Sequence, residues 1–285
     1  MKKTLLITLT VFTLIACSTS PTGRRQVLLH SSSELDKMGA QSFEQMKEQE
    51  PISKDKKVNQ FVQCVANYIT PNVKSTVHKG EWEIVVFDSE QVNAFALPGG
   101  KIGVYTGILN VTENADQLAA IIGHEVGHVI AQHSNERLSS NQLSKGALVV
   151  AGAAAASSDI DNKALVVAGA AVGMKYLLLM PYGRAHESEA DIIGQDLMAK
   201  SGFDPRASVK LWQNMAKLSK DAPPEFFSTH PSNQTRISDL TKHLQVSEPL
   251  YAQRNVNPEC IKPVIPKPKS KAKPVTKEVD DSKKG

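Results

Sequence analysis

"IIGHEVGHVIAQH", residues 121–133, carries three of the chain's eight histidines and a glutamate in one apolar stretch. Thr112 or Asn114 just upstream suits a helix N-cap. The apolar positions that follow recur at helical spacing, so one long helix is predicted from there to about Arg137. Residues four apart on a helix lie one turn apart, about 40° around the axis. His124 and His128 therefore share a face, and both imidazoles can reach one ion. Glu125 lies about 80° from their mean direction, close enough to touch a water on that ion but badly aimed to be a ligand. H-E-x-x-H on a helix is the pattern in which two histidines bind zinc and the glutamate takes a proton from water. His133 sits about 180° around from His124. The longer pattern that enlists a third histidine needs Gly at residue 131 and His at 134, where this chain has Ala131 and Ser134. His133 is expected to face away, in a structural or supporting position.

Two histidines make only part of a catalytic metal shell, which commonly has three protein ligands and one open position. The best downstream cluster is "GRAHESEAD", residues 183–191, at the start of another helix. His186, Glu187, Glu189 and Asp191 compete for the role. Glu187 and Asp191 are four apart and share a face, so Glu187 can bind the metal while Asp191 behind it orients a histidine. Glu189 lies about 160° from each of them and is expected, with His186, to face solvent.

Outward from these helices the chain reads as mainly helical α+β. Residues 33–49 and 55–69 are amphipathic, the second with Val58, Phe61, Val62, Val65 and Ile69 on one stripe. "EWEIVVFDS" (81–89) alternates as a strand does, and "NAFALPGGKIGVYTGIL" (93–109) reads as two short strands joined through Pro98-Gly99-Gly100. "ALVVAGAA" occurs at 147–154 and again at 164–171, around a polar turn. Each apolar run is shorter than the roughly twenty residues of a membrane span, so a packed helical hairpin is predicted. Asp204-Pro205 opens a helix to about Lys220, and a last helix covers about 232–245.

The ends carry the charge. The net +4 comes from Lys2, Lys3 and a Lys- and Pro-rich tail after Cys260, which leaves the body slightly acidic and offers no groove for nucleic acid. The tail cannot bury a core and reads as a solvated segment. Lys2 and Lys3 followed by a short apolar run ending in Leu14-Ile15-Ala16-Cys17 resemble a bacterial lipoprotein signal. That reading makes 1–16 the signal peptide and Cys17 the lipidated first residue. With Ser18, rather than the Asp linked to inner-membrane retention, it puts the chain on the periplasmic face of the outer membrane. Residues 17–52 become a tether and N-terminal helix, 53–250 a metallopeptidase domain and 251–285 a C-terminal segment. Cys64 and Cys260, an even pair in an oxidising compartment, are expected to form a disulfide.

"HEVGH", then "ESEAD", then "STHPSNQTR" (228–236), together with "PTGRR" and the strand pair at 93–105, resemble the HtpX/BepA/LoiP-type zinc metallopeptidases, gluzincins related to the CAAX prenyl proteases. The resemblance covers roughly residues 22–250. It implies one zinc per chain on His124, His128 and Glu187, Glu125 as the base, and Asp191 behind the ligands. It also brings His230 and Arg236 to the site, to stabilise an oxyanion or, for His230, to fill the open position. It makes Asn93, Ala94, Phe95, Ala96 and Leu97 an edge along which substrate adds as a strand. The activity implied is an endopeptidase that cleaves misfolded or stalled outer-membrane proteins, with their assembly machinery as a further partner. The rival readings are a non-proteolytic assembly factor with a retained zinc site, and cleavage of lipidated peptides within the bilayer.

Overall fold

The computed structural model describes residues 17–156, 180–218, 230 and 234–265. Among them are two short paired strands, β1 (Cys17–Thr19) and β2 (Arg25–Val27), then helices α1 (Ser32–Gln49) and α2 (Lys56–Ile69). Strands β3 (Glu83–Phe87), β4 (Ala94–Leu97) and β5 (Lys101–Tyr105) follow. The remaining helices are α3 (Ala115–Ile130), α4 (His133–Ala156), α5 (Met180–Lys200), α6 (Arg206–Leu218) and α7 (Gln234–Ala252). The fold is mainly helical α+β, as the sequence predicts.

Local chemistry starts the first helices. Ser31 and Glu34 form a reciprocal capping box at α1, and the Asp55 carboxylate accepts from the Lys57 and Val58 amides at α2. The stripe predicted on α2 is buried. The sheet order is β3-β5-β4, with β3 parallel and β4 antiparallel to β5. Gly99 and Gly100 both take positive φ, which lets the chain reverse between β4 and β5. One sheet face packs Phe87, Phe95 and Tyr105 against Phe43 of α1. The other packs Val86, Ala94, Ala96, Ile102 and Val104 into the main core, with α2 and α3. β4 is an edge strand lying against α3.

Two expectations change. Residues 18–32 are not a free tether, since β1 and β2 form an antiparallel hairpin with Ser20 and Gln26 buried. The next residues are tied to α4, the Leu29 amide donating to Ser139 Oγ and the His30 amide to Asn135 Oδ1. α7 runs to Ala252 and contains Pro249. The second copy of "ALVVAGAA", and with it the predicted helical hairpin, lies outside the described residues. Among these, no helix is long and apolar enough to cross a membrane. Cys64 of α2 is joined to Cys260 by a disulfide that closes a sequence separation of 196. Beside it, Lys262 donates to the Thr112 carbonyl.

Candidate metal centre

α3 begins where Asn114 Oδ1 accepts from the Gln117 amide, and from Gln117 to Val129 the helix is buried. A helix enclosed this fully needs its neighbour close. Gly123, Gly127 and Gly194 form the seam with α5. A Cβ on Gly127 would lie 2.7 Å from the Ala190 carbonyl oxygen, and one on Gly194 would lie 2.6 Å from the His124 amide nitrogen. Only glycine permits this approach, and the approach brings Glu187 to the histidines.

His124 and His128 stand one turn apart, with ring nitrogens Nε2 3.1 Å from each other. Glu187 Oε2 is 3.4 Å from His124 Nε2, and Oε1 is 3.5 Å from His128 Nε2. His230 Nδ1 lies 3.2 Å from His124 Nε2 and 3.1 Å from Glu187 Oε2. One donor atom from each of the four lies within 4.8 Å of the others, and all four residues are buried. Buried imidazoles and a carboxylate converging this way suit a divalent transition metal. Burial holds the His128 ring well below the usual histidine range, leaving it neutral as a ligand must be. Burial opposes charge on Glu187 too, but hydrogen bonds with His124 and His230 outweigh it and keep the carboxyl far below its usual range.

Behind His124, Asp191 Oδ1 is 2.9 Å from Nδ1. Arg236, 1% exposed, grips Asp191 with Nε at 2.7 Å and Nη2 at 2.8 Å, and its Nη1 reaches Glu187 Oε2 at 3.1 Å. Its guanidinium lies on the Trp212 ring, 3.7 Å from the centroid. The guanidinium thus pairs with Asp191, behind His124, and with Glu187 of the buried group. Glu125 is buried beside the group, and burial pushes its carboxyl up. Among the described residues its Oε1 makes no hydrogen bond, and His230 Nε2 lies 3.5 Å from it.

Three expectations fail on the far side of His128. α3 stops at Ile130, not near Arg137, because Gln132 takes φ 56° and turns the chain. That turn swings His133 back, so its Nδ1 is 2.8 Å from His128 Nδ1. His133 does support a candidate ligand, but it does not face away. Glu189 and His186 are not solvated; they are 4% and 1% exposed. The docked hairpin and α4 cover that side of α5. Arg24 reaches Glu189 from the hairpin, and Glu136 on α4 lies 3.1 Å from His186 Nε2. Arg24 and Glu136 went unmarked in the sequence, where only "PTGRR" hinted at the first. At the edge strand, Ala94 and Ala96 are buried, Phe95 and Leu97 half-buried, and the Asn93 carbonyl accepts from the Tyr105 amide.

Residues 53–244 match the family model described as Peptidase family M48. The chain belongs to that family. The matched span holds all four residues of the buried group. Among curated relatives, the mitochondrial metalloendopeptidase OMA1 of Arabidopsis thaliana is 37% identical over 61% of this chain and 34% of its own length. That of Saccharomyces cerevisiae is 33% identical over 68% of this chain and 57% of its own. The beta-barrel assembly-enhancing protease of Escherichia coli is 26% identical over 76% of this chain and 45% of its own. The chain thus spans roughly a third to just over half of these relatives.

Proposed function

We propose that this chain is a zinc metalloendopeptidase, with one zinc held by His124, His128 and Glu187. The observation that carries the reading is Glu125: a buried carboxylate whose Oε1 has no hydrogen-bond partner among the described residues, next to a buried His/His/Glu/His group, in a member of peptidase family M48. A structural site needs no such base. Zinc held there would supply Lewis acidity and lower the pKa of water. Glu125, its carboxyl pushed up by burial, takes the proton from the attacking water and returns it to the departing amine. Asp191 and Arg236 hold His124 and Glu187 in place. The free edge of β4 beside α3 accepts an extended substrate segment as an added strand. His230 Nδ1, 3.2 Å from His124 Nε2, would be near enough to serve the metal as a fourth donor.

The substrates we infer are unfolded or misassembled outer-membrane proteins, a reading supported by the beta-barrel assembly-enhancing relatives and by the signal-like start ending in Cys17. Lipidated Cys17 would hold the chain at the periplasmic face of the outer membrane. The test is Glu125→Gln. The variant should bind zinc like wild type and lose about 100-fold or more of its cleavage of an unfolded reporter protein. Undiminished cleavage removes Glu125 as the base and the reading with it.

A further inference from the structure

We propose that Arg24, on the N-terminal hairpin, is a positioning residue for His128, acting through Glu189 and His133. The inference rests on the reading of His128 as a metal ligand. The hairpin lies outside the family-matched residues 53–244.

The connection is continuous. Arg24 donates from Nη1 and Nη2 to the two oxygens of Glu136 at 2.6 and 2.7 Å. It also donates from Nε and Nη2 to Glu189 Oε2 at 3.0 and 2.9 Å. Thr22 of the same hairpin donates to Glu189 Oε1 at 2.5 Å. Both carboxylates are almost wholly buried, and buried carboxylates stay charged only when paired this well. Glu189 Oε2 in turn stands 3.1 Å from His133 Nε2.

From there, proton bookkeeping sets every direction. An ionised carboxylate only accepts, so His133 Nε2 carries the hydrogen. Neutral His133 then presents a lone pair at Nδ1. His128 Nδ1, 2.8 Å away, must donate into it. That leaves the His128 lone pair on Nε2, the atom facing His124 and Glu187. Ligation by Nε2 requires this tautomer, and a hydrogen bond at the other ring nitrogen is what fixes it. His186 stacks on His133 with centroids 4.2 Å apart, and its Nε2 lies 3.1 Å from Glu136 Oε2.

The two candidate histidine ligands are thus held by parallel clamps. Arg236 grips Asp191, which meets His124 directly. Arg24 grips Glu189, which meets His128 through His133. The second clamp closes only when the hairpin is docked.

The test measures zinc affinity of the full chain by chelator competition, alongside the melting temperature without metal. Arg24→Ala should weaken zinc binding about 10- to 100-fold. Arg24→Lys, which keeps the charge but loses the fork, should recover part of it. Glu189→Gln covers the case in which Arg24→Ala fails to fold. Its amide can no longer dictate the His133 tautomer, and it should weaken zinc similarly, with the effects of Arg24→Lys and Glu189→Gln less than additive. Nitrogen-15 spectra of the histidine rings in zinc-loaded wild type should show hydrogen on Nδ1 of His128 and Nε2 of His133. A purely structural hairpin would lower melting temperature with zinc affinity unchanged, and that result, or the opposite tautomers, overturns the proposal. If wild type binds no zinc, the metallopeptidase reading falls as well; wild-type zinc binding with unaffected variants sinks this inference alone.

Discussion

Gly127→Ala sets two effects against each other at the centre of the H-E-x-x-H motif. Alanine is the better helix former by about 1 kcal/mol, and on an open helix the change would stabilise. Here the new Cβ would sit 2.7 Å from the Ala190 carbonyl oxygen and 3.2 Å from Ala190 Cα, where ordinary contact begins at 3.4 Å. About 0.7 Å of separation is missing, and backbone on both sides leaves no flexible side chain to give way. α5 must retreat, and Glu187, three residues before Ala190, moves with it. Metal–ligand distances tolerate only about 0.2 Å. Overpacking costs about 1–3 kcal/mol, partly offset by the propensity gain, so stability without metal should fall by no more than about 2 kcal/mol. Zinc affinity should fall at least tenfold. Chelator competition and thermal melts in EDTA separate the two quantities. Wild-type zinc affinity with a raised melting temperature would show that propensity alone governs the site, and would refute the glycine seam as the spacer that brings Glu187 to the histidines.

Other outcomes follow from the same geometry. Replacing Cys64 and Cys260 with serine removes the bond across a sequence separation of 196 and should lower stability by several kcal/mol, with about 5 as the chain-entropy upper estimate. Denaturant titration of oxidised wild type against the double variant checks this, and an unchanged midpoint would contradict it. Glu136 gives an acid signature. Burial alone would raise its carboxyl, yet His186 and Arg24 hold it at about 2. Its folded pKa is depressed, so its contribution is present above the unfolded value of about 4.5 and is lost as pH falls toward 2. Glu136→Gln should therefore melt below wild type at pH 7, with a gap that narrows between pH 4.5 and 2; a pH-independent gap would contradict the pairing.

The parts of the site that rest on local periodicity were legible. His124 and His128 share a face of a buried helix because they are four residues apart, and the α2 stripe is buried because its apolar positions recur at helical spacing. Glu187 emerged from one-turn spacing with Asp191, and His230 and Arg236 only from resemblance. What escaped depends on distant partners. Glu189 reads locally as a solvated charge because its partner Arg24 lies 165 residues away, and Glu136 lies 112 residues from the same arginine. The end of α3 escaped because the left-handed turn falls on Gln132, a residue that carries no turn signal.

The docked hairpin also takes up rope. Residues 18–32, fully extended, would span about 50 Å. Paired as β1 and β2 and bound to α4, they allow the body almost no travel from Cys17, which stands opposite Val27 in the pairing. A chain held at Cys17 would work at a fixed height above its point of attachment. Any segment to be cleaved would then have to come to that height to reach the metal centre.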